Sequence, residues 1–356
     1  MSRAEMTAER RSALLYPPAG QIRLVIDSDA KNEVDDQFAI AWALRSTERF
    51  RVEAVYAAPF AHDCFRQFDQ SEEALSQSAS AVGHSAGPAD GMEQSYQEIL
   101  RLFAQLGEPT EGRVYRGSAR YIGQDGVPVD SEAARDLVRR VHASPEPLYV
   151  AAIGAATNVA SAILLDPTIT ENMVVVWLGG NALGFGQGIE FNLIQDKRAA
   201  QVLFDSGVPL IWVPCLNVAS LLSVSECELR HMLLNTTPIG DYLAKTVLAA
   251  FADPLSDIAF MKLNRSSNLR GNSDEPGSYL EQFKTEHVAW SRIIWDIATI
   301  AVLKNPNWTP SKLVPSPVLR EDLTWDTTDQ SRPRIRMVTH CYRNMVFGDL
   351  FNTLAK

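Results

Sequence analysis

The segment QIRLVIDSDAKNEVDDQFAIAWAL, residues 21–44, constrains this chain more than any other stretch. Ile22-Arg23-Leu24-Val25-Ile26 is short, apolar and β-branched, the pattern of a strand buried in a parallel sheet. Gln37 to Leu44 is apolar on most sides and reads as a buried helix. Between the two lie four aspartates in ten residues, Asp27, Asp29, Asp35 and Asp36. A strand leading through a loop into a helix sets that loop at the carboxyl edge of a sheet, where α/β proteins build their sites. Asp35 and Asp36 fall in the first helical turn, where the helix dipole favours negative charge by roughly 0.3–1 kcal/mol each. That is too little to hold four carboxylates in a partly buried crevice. They must take up protons or gather around a cation. Oxygen-only ligands favour a hard ion, calcium or magnesium. Helix capping and a solvated loop account for two of the four without any metal, but not for all of them directly after an apolar strand.

Two other motifs fail here. An EF-hand counted from Asp27 needs Gly at its sixth position and Glu at its twelfth; the chain has Asn32 and Phe38. A phosphotransferase with an Asp-x-Asp nucleophile usually continues with Thr or Val, whereas Ala30 and Lys31 follow. Asp27-Ser28-Asp29 followed by Asp35-Asp36 instead resembles the signature of the inosine/uridine-preferring nucleoside hydrolase family. That family usually places three residues between the second and third aspartates, and this chain has five, Ala30 to Val34.

With 356 residues and 46% hydrophobic content, the chain can bury a large core. No apolar run approaches the roughly 20 residues of a membrane span. The first twenty residues are polar and charged, without the apolar core of a secretory signal. Cys64, Cys215, Cys227 and Cys341 form no Cys-x-x-Cys pair, so reduced thiols and a cytoplasmic location are expected. A net charge of −10 and the lack of a basic cluster argue against nucleic acid as a partner. No internal repeat appears.

Strands are expected at Arg51–Ala57, Leu148–Ile153, Met173–Leu178, Pro209–Val213 and in the tail from Arg334 to His340. Residues 61–90, rich in Ser, Gln and Ala, read as a flexible flap on the site edge. Its His62 and His84 read as solvated loop histidines. Met92, Tyr96, Ile99, Leu100, Phe103 and Leu106 mark an amphipathic helix. Asp130 or Ser131 caps another, with Ala134, Leu137, Val138 and Val141 inward. Asp196–Ser206 reads as a helix. From Ser225 onward the chain reads as mostly helical, broken at Ser266–Ser278, with a long apolar helix from Glu286 to Leu303.

Three later blocks extend the resemblance. Gly154-Ala155-Ala156-Thr157-Asn158-Val159-Ala160 matches the family's turn in which the carbonyl before the glycine is a metal ligand, here Ile153. Gly179-Gly180 followed by Glu190-Phe191-Asn192 matches the segment whose Glu and Asn bind sugar hydroxyls. Glu190 and Asn192 would alternate onto one side of an extended segment. The family's further Asn, six residues before that Glu, is Gly184 here, so Asn181 or Gln187 is the expected replacement. Asp296, set among Ile293, Ile294, Ile297 and Ala298, is costly to bury without a partner. It matches the aspartate that completes the family's metal site, while Trp295 replaces the preceding histidine.

The resemblance, spanning roughly residues 22–305, implies an α/β fold with an open, mostly parallel central sheet flanked by helices. A single such domain over 21–356, preceded by an extension over 1–20, is expected. Calcium is implied, held by Asp29, Asp36, Asp296 and the Ile153 carbonyl, with Asp29 as general base. Asp35, Glu190, Asn192 and Asn181 would bind the substrate. Trp295 either stacks on the base through its ring face or belongs to the core. The implied reaction is hydrolysis of an N-ribosidic bond in a small nucleoside-like substrate, by a homodimer or homotetramer. A calcium-dependent ribose or nucleoside binder without turnover is the alternative, since the family's leaving-group histidine is missing. A hydrolase of another ribosylated compound is a third reading.

Overall fold

The computed structural model describes residues 6–61, 85–123, 125–185, 187–251 and 291–356. The four-aspartate segment forms strand β1 (Ile22–Ser28), a loop, and helix α2 (Asp36–Arg45), preceded by α1 (Ala8–Leu14). Then come β2 (Phe50–Ala57), α3 (Pro88–Leu106), β3 (Val114–Arg116), α4 (Glu132–His142), β4 (Leu148–Ala152) and α5 (Thr157–Leu165). β5 (Met173–Leu178), α6 (Phe191–Gln195), α7 (Lys197–Asp205) and β6 (Leu210–Val213) follow. The remainder holds β7 (Ser223–Ser225), α8 (Glu226–Met232), α9 (Pro238–Phe251), β8 (Ser291–Ile293) and α10 (Ile297–Lys304). Last are β9 (Ser311–Pro315), β10 (Val318–Leu319), β11 (Trp325–Asp326), β12 (Arg334–Val338) and α11 (Arg343–Leu354).

Among the described residues the main sheet has eight strands in the order β3-β2-β1-β4-β5-β6-β12-β9. Every pairing is parallel except β12 with β9, which closes one edge antiparallel. β1 sits inside the sheet, and all seven of its residues are buried. Its side chains alternate between two cores, as strand geometry requires. Leu24 and Ile26 join the core beneath α2, α10 and α11, while Val25 joins the one beneath α4, α5 and α7. The open, mostly parallel α/β sheet expected from the sequence is therefore present.

Several local expectations change. The flap expected over 61–90 falls largely on residues 62–84, with His62 and His84, outside the described residues; its last part is ordered. There the Ser85 hydroxyl donates to the Phe60 carbonyl at 2.9 Å, and α3 already starts at Pro88, whose fixed φ suits a first helical position. Of the helix expected over Glu286–Leu303, residues 286–290 lie outside the described residues, and the described helix starts at Ile297. Residues 291–293 form a strand against β7, and a continuous apolar run does not by itself distinguish the two. The break expected at Ser266–Ser278 lies outside the described residues. In residues 1–20, Leu14 and Leu15 are buried in the core.

Candidate functional site

Four parallel strands deliver residues to one pocket at their carboxyl ends. β1 leads to Asp29, β4 to Ile153, β5 ends at Leu178, and β6 leads to Cys215 and Leu216. Asn32, Glu33, Asp35, Asp36, Glu190, Phe191, Asn192, Trp295 and Asp296 complete the lining of a space of about 440 Å³, its open mouth included. A crevice outside the carboxyl ends of the strands is where an open α/β sheet holds its ligand.

Local sequence fixes the acidic loop. The Asn32 amide donates to the Asp29 carbonyl at 2.7 Å, and Gln37 Nε2 donates to the Ala30 carbonyl at 2.6 Å. Asp35 and Asp296 occupy the N-cap positions of α2 and α10, yet neither side chain caps its own helix. α10 packs against α2, which brings the two ends together. The Trp295 amide donates to Asp35 Oδ2 at 3.1 Å, across 260 positions of sequence. Ser28 Oγ donates to Asp36 Oδ1 at 2.6 Å, and Asp296 hydrogen-bonds Asp36. Carboxylate oxygens of Asp35, Asp36 and Asp296 lie within 4.8 Å of one another.

Asp29 lines the same pocket outside that close triple. Its Oδ2 is buried and has no hydrogen-bond partner among the described residues. Gly154 leaves room for it, since a Cβ there would lie 2.9 Å from Asp29 Oδ1.

Electrostatics follow from this packing. Burial, then the charges of Asp36 and Asp35, holds the Asp29 carboxyl well above the ordinary carboxylate range. Asp35 is raised by burial and then Glu33, with Arg292 opposing; Asp296 is raised by burial and then Asp35. Asp36 is pushed up to about 7 by burial, against the hydrogen bond from Ser28. Perturbation of this size in a cleft marks a functional-site candidate. Its physical remedy is a proton or a cation.

On the opposite wall, Glu190 belongs to a helix end, not to the extended segment expected. It is the N-cap of α6, and its carboxylate accepts from the amides of Asn192 at 3.0 Å, Gly180 at 2.8 Å and Leu193 at 3.2 Å. Burial still raises its pKa, against those amides. Asn192 Nδ2 donates to the Leu178 carbonyl at 3.1 Å and the Ile153 carbonyl at 3.3 Å, so it ties two strand ends together. Asn181 does not line the pocket. It accepts from the Leu216 amide at 3.2 Å and donates to the Ile189 carbonyl at 2.7 Å, bracing the wall from behind. Gln187 bridges to Thr324 and faces a separate, more open pocket. Trp295 is half-buried on the lining and also packs against the core beneath α2. Sequence reasoning passed over Asn32, Glu33, Phe191, Cys215 and Leu216. The two surplus loop residues were the only signal for Asn32 and Glu33.

Known proteins share this architecture. The purine-preferring ribonucleoside hydrolase from Gardnerella vaginalis superposes with a TM-score of 0.64 at 17% identity, over 94% of this chain and 98% of that one. The type III effector protein XopQ, solved with adenosine diphosphate ribose, superposes with a TM-score of 0.58 at 15% identity, over 98% and 96%. In sequence, the chain is 23% identical over 227 residues to the probable uridine nucleosidase 2 of Arabidopsis thaliana, covering 63% of this chain and 68% of that protein. It spans 46% of the length of the pyrimidine-specific ribonucleoside hydrolase RihA from Citrobacter koseri and 57% of that from Klebsiella pneumoniae. No described helix is long and apolar enough to cross a membrane. The family model for inosine-uridine preferring nucleoside hydrolases matches residues 24–341, taking in the acidic loop, both strand-end turns and Asp296, and the chain belongs to that family.

Proposed function

We propose that this protein hydrolyses the N-ribosidic bond of a ribonucleoside or a related ribosylated compound, releasing ribose and the free base, with calcium held in the acidic pocket. One observation carries this reading. Asp29, Asp35, Asp36 and Asp296, each 3% exposed or less, converge on a pocket whose lining holds no cationic side chain among the described residues. Uncompensated buried charge of that density is expensive. An all-oxygen donor set with a main-chain carbonyl suits calcium, which accepts flexible coordination by oxygen. Asp29, Asp36, Asp296 and the Ile153 carbonyl would hold the ion. Among the described residues Asp29 Oδ2 has no hydrogen-bond partner and the Ile153 carbonyl is engaged by one long 3.3 Å contact, both of which fit that assignment. When bound, the ion supplies charge compensation and polarises the oxygens around it.

The chain's own groups then divide the work. Asp29 takes the proton of the attacking water at its carboxylate, as general base. Asp35 accepts from a ribose hydroxyl. The Glu190 carboxylate accepts from three amides and from the Cys215 thiol, so a sugar hydroxyl would take the place of that weak thiol donor, and Asn192 offers its Oδ1. Anionic surroundings favour the positive charge that develops on the sugar ring as the bond to the base breaks. A small neutral nucleoside is the partner that fits this pocket. Cytoplasmic residence and assembly as a homodimer or homotetramer belong to the same proposal; the free thiols of Cys215, Cys227 and Cys341 fit a reducing compartment.

Calcium-dependent binding without turnover is a second reading, and one observation favours it. Trp295 stands where the family has histidine, and no histidine lines the pocket among the described residues. The effector's complex with adenosine diphosphate ribose widens the candidates beyond simple nucleosides. Release of free base by the wild-type protein decides between the readings, and Asp29→Asn tests the mechanism of the first. That substitution keeps the side chain's size but removes the base, so turnover is expected to fall by roughly 10²–10⁴-fold. Intact turnover in that variant contradicts the mechanism.

A further inference from the structure

We infer that Glu33 is a specificity-determining residue of this pocket, accepting a hydrogen bond from an N–H on the edge of the leaving group. This rests on the reading of the pocket as a ribosyl site.

The two residues by which the acidic loop exceeds the family's usual spacing lengthen it between Asp29 and Asp35, and Asn32 and Glu33 of that loop line the pocket. The loop is pinned at both ends. The Asn32 amide holds the Asp29 carbonyl, and Gln37 Nε2 holds the Ala30 carbonyl and, at 3.3 Å, the Glu33 carbonyl. Depth then separates two ends of the pocket. The four aspartates are almost fully buried, whereas the Glu33 side chain is 15% exposed and Trp295 is half-buried. Hydroxyl-binding carboxylates occupy the floor, so the leaving group lies toward the rim. Glu33 and Trp295 flank it there, both beside Asp35. The Trp295 amide reaches Asp35 Oδ2, and the charge of Glu33 is second only to burial in raising Asp35.

Arg292 fixes what Glu33 can recognise. Its Nη2 donates to Glu33 Oε2 at 3.1 Å, and the guanidinium is itself 6% exposed on β8, three residues before Trp295. β8 is anchored in turn by its ladder with β7, where Arg292 pairs with Val224. A carboxylate paired with a guanidinium is an acceptor only. It offers about four lone-pair sites, one of them taken by Arg292, and the side chain lines the pocket. Such a group selects donors. A planar leaving group with an imide or amino N–H at its edge, lying along the Trp295 ring, meets it well. An edge that offers only acceptors, or an N-methyl group, leaves the carboxylate without its partner and is rejected.

The test is a selectivity ratio, kcat/KM for uridine over 3-methyluridine and for inosine over 1-methylinosine, read in one protein preparation so that any loss of folded protein cancels. The wild-type ratio is expected to exceed about tenfold for whichever pair is accepted, the effect of one hydrogen bond to a charged group. Glu33→Ala removes the acceptor and is expected to bring the ratio within about threefold of unity. Glu33→Gln keeps a carbonyl acceptor and should give an intermediate ratio; Arg292→Met, which removes the ion pair with that carboxylate, should lower it too. A wild-type ratio near one, or a ratio that Glu33→Ala leaves intact, overturns the inference. If no nucleoside is hydrolysed, the hydrolase reading fails by itself, and the same ratios are taken from dissociation constants. A preference that Glu33→Ala abolishes then supports the inference, equal affinities overturn it, and absence of both hydrolysis and binding overturns both.

Discussion

Removing divalent cations should make the stability of this protein fall as pH rises, and the structure sets the size of the effect. Asp36 and Asp27 are both fully buried, and both carboxyls are pushed up to about 7, chiefly by burial. Each is raised from 3.8, close to three pH units, which at about 1.4 kcal/mol per unit comes to roughly 4 kcal/mol per group. The sign follows from proton linkage. The folded chain holds these protons while the unfolded chain releases them near pH 4, so their stabilisation is complete below about pH 4 and is lost as pH rises to about 7. Asp29, Asp35 and Asp296 shift in the same direction. A cation replaces the proton at Asp36 but not at Asp27, which lies outside the pocket and accepts from Asn158 Nδ2 at 2.8 Å. In a chain of this length, about 4 kcal/mol corresponds to roughly 5 °C in Tm. Scanning calorimetry in chelator and in excess calcium, at pH 5 and pH 8, reads this directly. The calcium-induced rise should be at least about 5 °C larger at pH 8, because protons compete with the ion at pH 5. Equal rises at the two pH values, or no rise at either, refute the assignment of these carboxylates to a cation.

Two further outcomes are expected. Gly154→Ala would push a methyl group to 2.9 Å from Asp29 Oδ1 and 3.2 Å from Ala58 Cβ, displacing Asp29 at a cost of about 1–3 kcal/mol; calorimetric titration should show weakened calcium binding beside the lowered Tm. Trp295→Phe keeps an aromatic face, so if the ring stacks on the base, the loss in kcat/KM should be modest and larger for purine than for pyrimidine nucleosides, whereas a core-only role predicts an equal loss for both.

Much of this architecture was legible in sequence because its signals are local. β5 runs over the residues its apolar pattern indicates, Met173–Leu178, and β1 extends the expected strand only through Asp27 and Ser28. Four aspartates between a buried strand and a buried helix could lie only at a sheet edge. What stayed hidden depends on distant pairings. Nothing near Glu190 shows that the Gly180 amide will meet its carboxylate, so a helix cap read as part of an extended segment. The run after residue 290 is apolar enough for a helix, and only the ladder with β7 makes it a strand. Glu33 and Arg292 lie 259 positions apart, and Asn181 turned out to brace a wall whose shape the sequence did not reveal. Asp296 could be found because a lone aspartate in an apolar stretch demands a partner.

The central claim is that the acidic pocket cleaves a ribosidic bond with the help of a hard cation. The most direct measurement is release of free base and ribose from a panel of ribonucleosides, followed for one protein preparation as isolated, after chelation, and after calcium is restored. The account expects at least one nucleoside to be cleaved, cleavage to stop in chelator, and calcium to restore it. Binding without release across the whole panel, or release that chelation leaves unchanged, contradicts it.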